Sequence, residues 1–380
     1  MNASNVDSKP KVRKETKNKI KVDFERTSFK ERFRAKFLTL TFAKKVVWAL
    51  VRYILLVGIA YIVLFPFFSK ISASVMSYVD FNDSMVRLIP KHLSLDIYKA
   101  IFVEQDYMRA FGNTFMLSFI SAIIQTFICS FIAYGFAKFK FKGNKLLFAL
   151  VILTMIIPHR TLASSMKLMF ANFDIFGIFG FFSGGGISLF GFEYNNEFLS
   201  SINFLNTINP KVFQPDGVDL LNSYWPFMIL SFCGLAFKNG LYIFLLRQFF
   251  MGVPDELEES AYIDGSGVFR TFFTIILPIS VPMMITVFLF SFSWQWTDIF
   301  YASSSMFFPD SSTAPYMLTT DIGFKIPASL TGLVPNNSIK WETAVKSTGG
   351  LMIIAPLVIM YLFCQKYLVQ GIERSGLTAD

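Results

Sequence analysis

A chain of 380 residues that is 53% hydrophobic, 16% charged and carries 47 phenylalanines falls outside soluble composition, where about 25% of residues are charged. Its net charge of +9 sits entirely in residues 1–45, which hold 14 Lys and Arg against five acids, so the remainder balances. The three cysteines (Cys129, Cys233, Cys364) lie in apolar segments without metal-ligand spacing, and the two histidines (His92, His159) are far apart, which argues against a disulfide framework, a zinc site and hydrolytic catalysis.

Taken in order, residues 1–45 form a basic tail. Ahead of a membrane span, such a tail reads as an orientation signal and an attraction to anionic lipid rather than as nucleic-acid binding. Phe29, Phe33 and Phe37 recur every four residues between basic residues, which suits a helix lying on the membrane surface. The first apolar run begins near residue 46, too late for a cleavable signal peptide.

A span needs about 20 apolar residues to cross roughly 30 Å of hydrocarbon. Six segments meet that need: Val46 to Phe68, Phe111 to Ala137, Leu146 to about Ser165 with a break at Pro158, Tyr224 to Phe250, Ile279 to about Ala302, and Gly349 to Val369. The expected fold is therefore an all-α polytopic membrane protein with six transmembrane helices. Residues 46–110 hold the first span and a polar loop, 111–370 the core, and 371–380 a short tail. Within the core, 172–220 is a Phe-, Gly- and Asn-rich stretch with few charges, and Ser303 to Lys346 is polar. The basic residues of the short loops, at Lys138 to Lys145, Arg247, Arg270, Lys366 and Arg374, fall on the side of the basic tail. By the positive-inside rule both termini are cytoplasmic.

The most specified loop is Pro254 to Pro278, PDELEESAYIDGSGVFRTFFTIILP. Pro254 and the acids after it suit a helix start. Gly265 and Gly267 then suit its end. A short surface helix, a sharp turn and a second helix re-entering the apolar phase are expected. Leu257 and Ala261, four apart, share one face and give a small apolar strip. Gly265 lets the chain turn close to a partner without a Cβ clash. The alternative is an ordinary capped surface helix.

Glu259-Ser260-Ala261, three residues, Gly265, nine residues, then Ile275-Ile276-Leu277-Pro278 resembles the EAA loop of ABC importer permeases, with Ser260 replacing the middle Ala. Asp264 before the glycine is also usual in that loop. Asn113-Thr114, AYGFAKFKFKG at 133–143, IFLLRQFF at 243–250, Trp296-Thr297-Asp298 and QKYLVQG at 365–371 are similar to the carbohydrate branch, in particular to the second membrane subunit of maltose-type importers. The resemblance covers roughly residues 46–171 and 220–377. It departs in the long tail, in the absence of a second proline after Pro158, and in about fifty residues inserted at 172–220.

The resemblance implies a type I importer transmembrane domain whose coupling helix docks into a cytoplasmic ATPase. Leu257, Glu259, Ala261, Asp264 and Gly265 would carry the coupling, with Glu259 pairing with a basic ATPase residue. No GxxxxGK[ST] phosphate loop occurs in the chain, so ATP and Mg would be bound by the partner. The implied partners are a second permease subunit, two ATPase subunits, an extracellular or periplasmic solute-binding protein and membrane lipid, with no nucleic acid. No cofactor is expected in this chain.

Polar and aromatic residues inside the spans mark a candidate substrate path: Asn113, Gln125, Lys238, Asn239, Trp294, Gln295, Trp296 and Asp298. Trp294 to Asp298 combines the aromatic and hydrogen-bonding groups that bind sugars, but tryptophans near a span end also form interfacial belts. Lys238 and Asn239 fall mid-span, where a charge is costly and faces an interior, a cavity or another subunit. The 172–220 insertion either helps form the rim that meets the binding protein or is a packing elaboration. Permeation of another polar solute remains open on these residues, and a non-transport scaffold leaves the spacing of the 254–278 loop unexplained.

Overall fold

The computed structural model describes residues 11–15, 21–25, 40–174, 187–189, 192–194, 213–214, 217–303, 305–323, 325–334 and 338–374. The expected surface helix around Phe29, Phe33 and Phe37 lies outside them, as does most of the 172–220 insertion.

Two units divide the chain. Residues 1–69 comprise an antiparallel ribbon, Lys11–Glu15 with Lys21–Glu25, and most of helix α1, Leu40–Ser74. The most apolar eighteen-residue stretch of α1, within Lys44–Ser74, contains no buried residue. It presents leucine, isoleucine, valine and aromatic side chains outward all round, as lipid or a partner subunit requires.

The second unit, residues 70–380, holds the bundle. A polar layer comes first, with α2 (Tyr78–Asn82) and α3 (Asp96–Glu104). Helix α4, Tyr107–Lys138, is its axis. The buried face of α4 includes the small residues Ala110, Ser118, Ser121, Ala122, Ser130 and Ala133. In lipid, where tails are as apolar as leucine, close approach of small residues holds helices together. Two of its hydroxyls are satisfied locally, Thr126 on the Ala122 carbonyl and Ser130 on the Phe127 carbonyl.

The third segment is not one rod. It consists of α5 (Asn144–Ile156), a 3₁₀ turn at His159–Leu162, and α6 (Ala163–Ala171), bent by 93° across Pro158. The fourth segment is broken too, into α7 (Trp225–Phe232) and α8 (Asn239–Met251). Gly234 at φ +70 and Lys238 at φ +68 are both left-handed, which no α-helix admits. Hydropathy runs unbroken through this stretch, so composition alone suggests a continuous span. Among the described residues, four uninterrupted helices are long and apolar enough to cross a membrane: α1, α4, α10 and α11.

Helix α9, Glu256–Ile263, is the short surface helix. It is followed by α10, Val268–Trp296, which begins eleven residues before the expected span start at Ile279. Proline removes a hydrogen bond and clashes one turn back. A π-turn at Phe272–Ile276 lies one turn before Pro278, while Pro282 sits within the regular helix that follows. Its end at Trp296 leaves Thr297 to Ala302 outside the helix. Helix α11 runs Ser338–Arg374, well beyond Gly349 to Val369.

Three clusters fill the bundle. Ile97, Ile101, Phe292, Trp296, Leu318, Trp341 and Ile353 join α3, α4, α10 and α11. Cys129, Tyr134, Tyr242, Leu246, Phe250, Phe272 and Val287 join α4, α8 and α10. Leu117, Phe170, Phe227, Tyr301 and Phe307 close the space around α6 and α7. The insertion departs and returns at one place, where Phe173 and Val218 exchange both backbone hydrogen bonds at 3.0 Å.

Candidate functional site

Two sites are built by these elements. The first is the surface helix and its seat. Glu256, Glu258 and Glu259 lie in the first turn of α9, where carboxylates meet the positive end of the helix dipole. The helix ends in a Schellman motif: Ser266 N–H donates to the Ala261 carbonyl at 2.9 Å and Gly265 N–H to the Tyr262 carbonyl at 3.0 Å. Gly265 sits at φ +79, and a Cβ there would meet nothing within 4 Å. The glycine is required by the backbone and not by any neighbour in this chain.

Lys138, the last residue of α4, fixes α9 from beneath. Its Nζ donates to the Val253 carbonyl at 2.6 Å and to Asp255 Oδ1 at 2.6 Å, and lies 3.5 Å from Glu258 Oε1. The side chains of Lys138 and Glu258 are 6% and 9% exposed, so this is a sheltered pair. The Lys138 ammonium beside Asp255 holds its carboxyl below the usual carboxylate range. Lys138 and Glu258 escaped the sequence reading because their contact joins positions far apart in the chain; the signal available was the position of Lys138 at the head of the basic turn.

With α9 seated, Leu257, Glu259, Asp264 and Gly265 are exposed while Ala261 is 5% exposed. Ala261 therefore faces the bundle, and the apolar strip expected from Leu257 and Ala261 is not presented as one outward face. Ile263, 86% exposed, supplies outward apolar surface instead.

The second site is the break before α8. A cavity of about 250 Å³ opens there between Thr154 to His159 on one side and Gly234 to Ala236 with Lys238 to Leu241 on the other. Lys238 and Asn239 line it. The Lys238 ammonium stands 4.8 Å from the centre of the Phe237 ring and 5.1 Å from that of Trp294, close enough for cation–π attraction. Gly240 permits this junction: a Cβ would meet Met155 Cγ and Thr154 Oγ1 at 2.8 Å and the Val151 carbonyl at 3.0 Å.

The remaining path candidates are structural in their contacts. Gln125 is buried and ties three helices together, donating to Ser231 Oγ at 3.2 Å and accepting from Ser291 Oγ at 2.9 Å. Asn113 donates to the Tyr316 carbonyl at 3.0 Å. Trp296 is 1% exposed, donates from Nε1 to the Ile353 carbonyl at 2.9 Å and packs on Phe111 and Phe292, so it is neither an interfacial belt residue nor open to a solute. Asp298 accepts backbone N–H from Phe300, Tyr301 and Ala302 and so shapes the turn after α10. Gln295, Trp294, Asp298 and Gln125 line a void of only about 10 Å³, too small for a sugar. Trp294 and Lys238 are thus brought together, whereas Asn113 and Trp296 stand apart from both.

A polytopic helical bundle with a clamped, outward-presented acidic helix between its fourth and fifth apolar segments defines a membrane transport subunit. The chain belongs to the family of binding-protein-dependent transport system inner membrane components, whose model matches residues 125–374. It is similar to the galactooligosaccharides transport system permease protein GanQ of Bacillus subtilis (strain 168), 26% identical over 331 residues, 85% of this chain and 93% of that one. It is also similar to the polygalacturonan/rhamnogalacturonan transport system permease protein YtcP of the same strain, 26% identical over 319 residues, 82% of this chain and 91% of that one. Its fold is shared with a bacterial ABC transporter involved in the import of the acidic polysaccharide alginate. That crystal structure matches with a TM-score of 0.58 at 19% identity, covering 85% of this chain and 97% of that one.

Proposed function

We propose that this permease subunit forms half of the translocation path of a carbohydrate importer and takes its driving force from a separate ATPase through α9. The observation that carries the reading is the seating of that helix: Lys138 holds its inner side, leaving Glu259 and the Gly265 turn exposed. The relatives named above handle galactooligosaccharides and polygalacturonan, which supports a saccharide cargo. The working assembly pairs this chain with a second permease subunit, two ATPase subunits that bind ATP and Mg, and an external solute-binding protein. Both termini and α9 face the cytoplasm, in keeping with the basic tail and short basic loops.

In alternating access, closure of the ATPase pair moves α9, and α10 follows because only Asp264 to Gly267 separate the two helices. The test is Glu259→Lys and Gly265→Asp in the reconstituted importer. The subunit should remain in the membrane, with saccharide uptake lost and ATP hydrolysis no longer stimulated by the loaded binding protein. Unchanged uptake by both variants would refute the reading.

A further inference from the structure

We infer that the loop after α1, residues 84–95, dips into the phospholipid leaflet at the end of α1 remote from the basic tail, with Met85, Ile89 and Leu93 among the acyl chains and Arg87 at the phosphates. This rests on the membrane-spanning fold and needs neither the cargo nor the ATPase reading.

Three large apolar side chains of the loop stand almost free of the rest of the chain: Met85 is 84% exposed, Ile89 81% and Leu93 77%. Water-facing surfaces scatter such residues singly, whereas a contiguous group marks contact with a partner or a membrane. A slack loop could fold these side chains back against the bundle, but this loop is held in shape. The Asp80 carboxylate, 2% exposed, accepts the backbone N–H groups of Lys91 and His92, each at 2.9 Å, and meets His92 Nδ1 at 2.7 Å. Asp83 accepts from the Met85 N–H at 2.9 Å and from the Lys91 ammonium at 2.6 Å. The returning arm is tied to the residues just after α1, with Ser77 N–H donating to the His92 carbonyl at 3.1 Å and Ser94 N–H to the Val75 carbonyl at 2.9 Å. The apolar tips are therefore held outward by a fixed backbone.

The position of the loop along α1 identifies what covers those tips. Ser72, in the last turn of α1, donates from Oγ to the Leu88 carbonyl, so the loop lies beside the end of that helix. Lys44–Ser74 comprises 31 residues, roughly 46 Å of helix against roughly 30 Å of hydrocarbon, so its last turn reaches the headgroup layer. The outward apolar surface of α1 continues as far as Ile71, and the loop prolongs it sideways at that depth. Charge agrees with lipid. Asp80 and Asp83 are already engaged by His92 and Lys91, whereas Lys70 and Arg87 are exposed and form no ion pair among the described residues. Apolar side chains interleaved with unpaired cations suit an interface where acyl chains and phosphates lie a few ångströms apart. A protein surface would have to supply an apolar patch and separate acids; a phospholipid leaflet supplies both in one layer.

The experiment uses the complete importer in vesicles of equimolar phosphatidylglycerol and phosphatidylcholine. The photo-crosslinking residue benzoylphenylalanine is placed at Ile89, at Leu93 and, as an exposed control in a polar loop, at Ser311. Mass spectrometry should find phospholipid adducts at Ile89 and Leu93 several-fold above those at Ser311, with and without the loaded binding protein. The ratio of phosphatidylglycerol to phosphatidylcholine among the Ile89 adducts should fall about fivefold in Arg87→Gln, the scale of one basic residue at an anionic surface. Adducts to another subunit or to the binding protein in place of lipid would overturn the inference, as would yields no higher than at Ser311. An unchanged lipid ratio in Arg87→Gln would overturn the phosphate contact. Two labelled positions, each checked for retained uptake, keep the outcome readable if one of them fails to assemble.

Discussion

Lys138 and Glu258 form a sheltered ion pair across the seat of the surface helix, with Nζ and Oε1 3.5 Å apart and both side chains less than a tenth exposed. Lys138 also binds the Val253 carbonyl and Asp255 at 2.6 Å, so one ammonium ties down both the approach to α9 and its first turn. A short helix of eight residues has little stability of its own, and its orientation depends on this seat.

Removing one partner of a buried pair leaves the other charge uncompensated, at a cost of about 3–5 kcal/mol. Lys138→Met is therefore expected to lower the melting temperature of the purified complex and to abolish uptake. The double variant Lys138→Met with Glu258→Gln should recover much of the melting temperature and little of the transport, because the seat regains neutrality without regaining the contacts to Val253 and Asp255. Thermal unfolding and vesicle uptake separate the two effects.

Gly265 has a left-handed backbone and open space around its Cα within the chain, so neutral substitutions there test conformation, whereas Gly265→Asp also adds a charge at the exposed turn. A β-branched residue in that region costs about 1–2 kcal/mol, whereas asparagine tolerates it. Gly265→Asn is expected to retain a substantial part of uptake and Gly265→Val to lose it at equal membrane abundance. Equal activity of the two would show that the turn imposes no left-handed requirement.

Trp296 is packed rather than exposed to a solute, so its replacement should act through stability. Trp296→Ala is expected to cost about 3–5 kcal/mol, seen as reduced abundance and melting temperature. Trp296→Phe keeps most of the packing and should leave the saccharide concentration for half-maximal uptake unchanged. A shift in that concentration with normal abundance would place Trp296 on the path.

Asp80 couples the polar layer to pH. Burial alone would raise its carboxyl, but the backbone N–H groups of His92 and Lys91 and the His92 ring outweigh it and hold the group below the ordinary range. The folded value is depressed, so the stabilisation is present above the unfolded value near 4 and is lost as pH falls through the folded value. Protection factors for hydrogen exchange across residues 78–95, corrected for intrinsic rates, should decrease below about pH 4. Asp80→Asn should raise exchange at neutral pH and flatten the pH profile.

The helical membrane class was legible from composition, and the short surface helix with its glycine turn from its spacing, because both are local properties of the chain. The seat was not, since Lys138 and Glu258 are brought together only by packing of α4 beneath α9. The fourth segment misled in the opposite sense: its hydropathy is continuous, yet Gly234 and Lys238 interrupt the helix, and the cavity exists because of that interruption. Pro158 did announce its break, since proline acts on backbone geometry wherever it falls. Trp296 illustrates a further limit, because a tryptophan near a span end looks the same in sequence whether it faces lipid, solute or core.

The π-turn at Phe272–Ile276 carries a consequence for how motion is geared. Each residue of an α-helix advances about 100° around its axis. One extra residue in the turn thus sets the azimuth of α9 relative to every side chain from Leu277 to Trp296. Deleting a single residue there would straighten the helix and swing the exposed surface of α9 by roughly a quarter of a revolution, with each side chain chemically intact and none in phase. The bulge works as a keyway, fixing the angle at which a push at one end is delivered to the other.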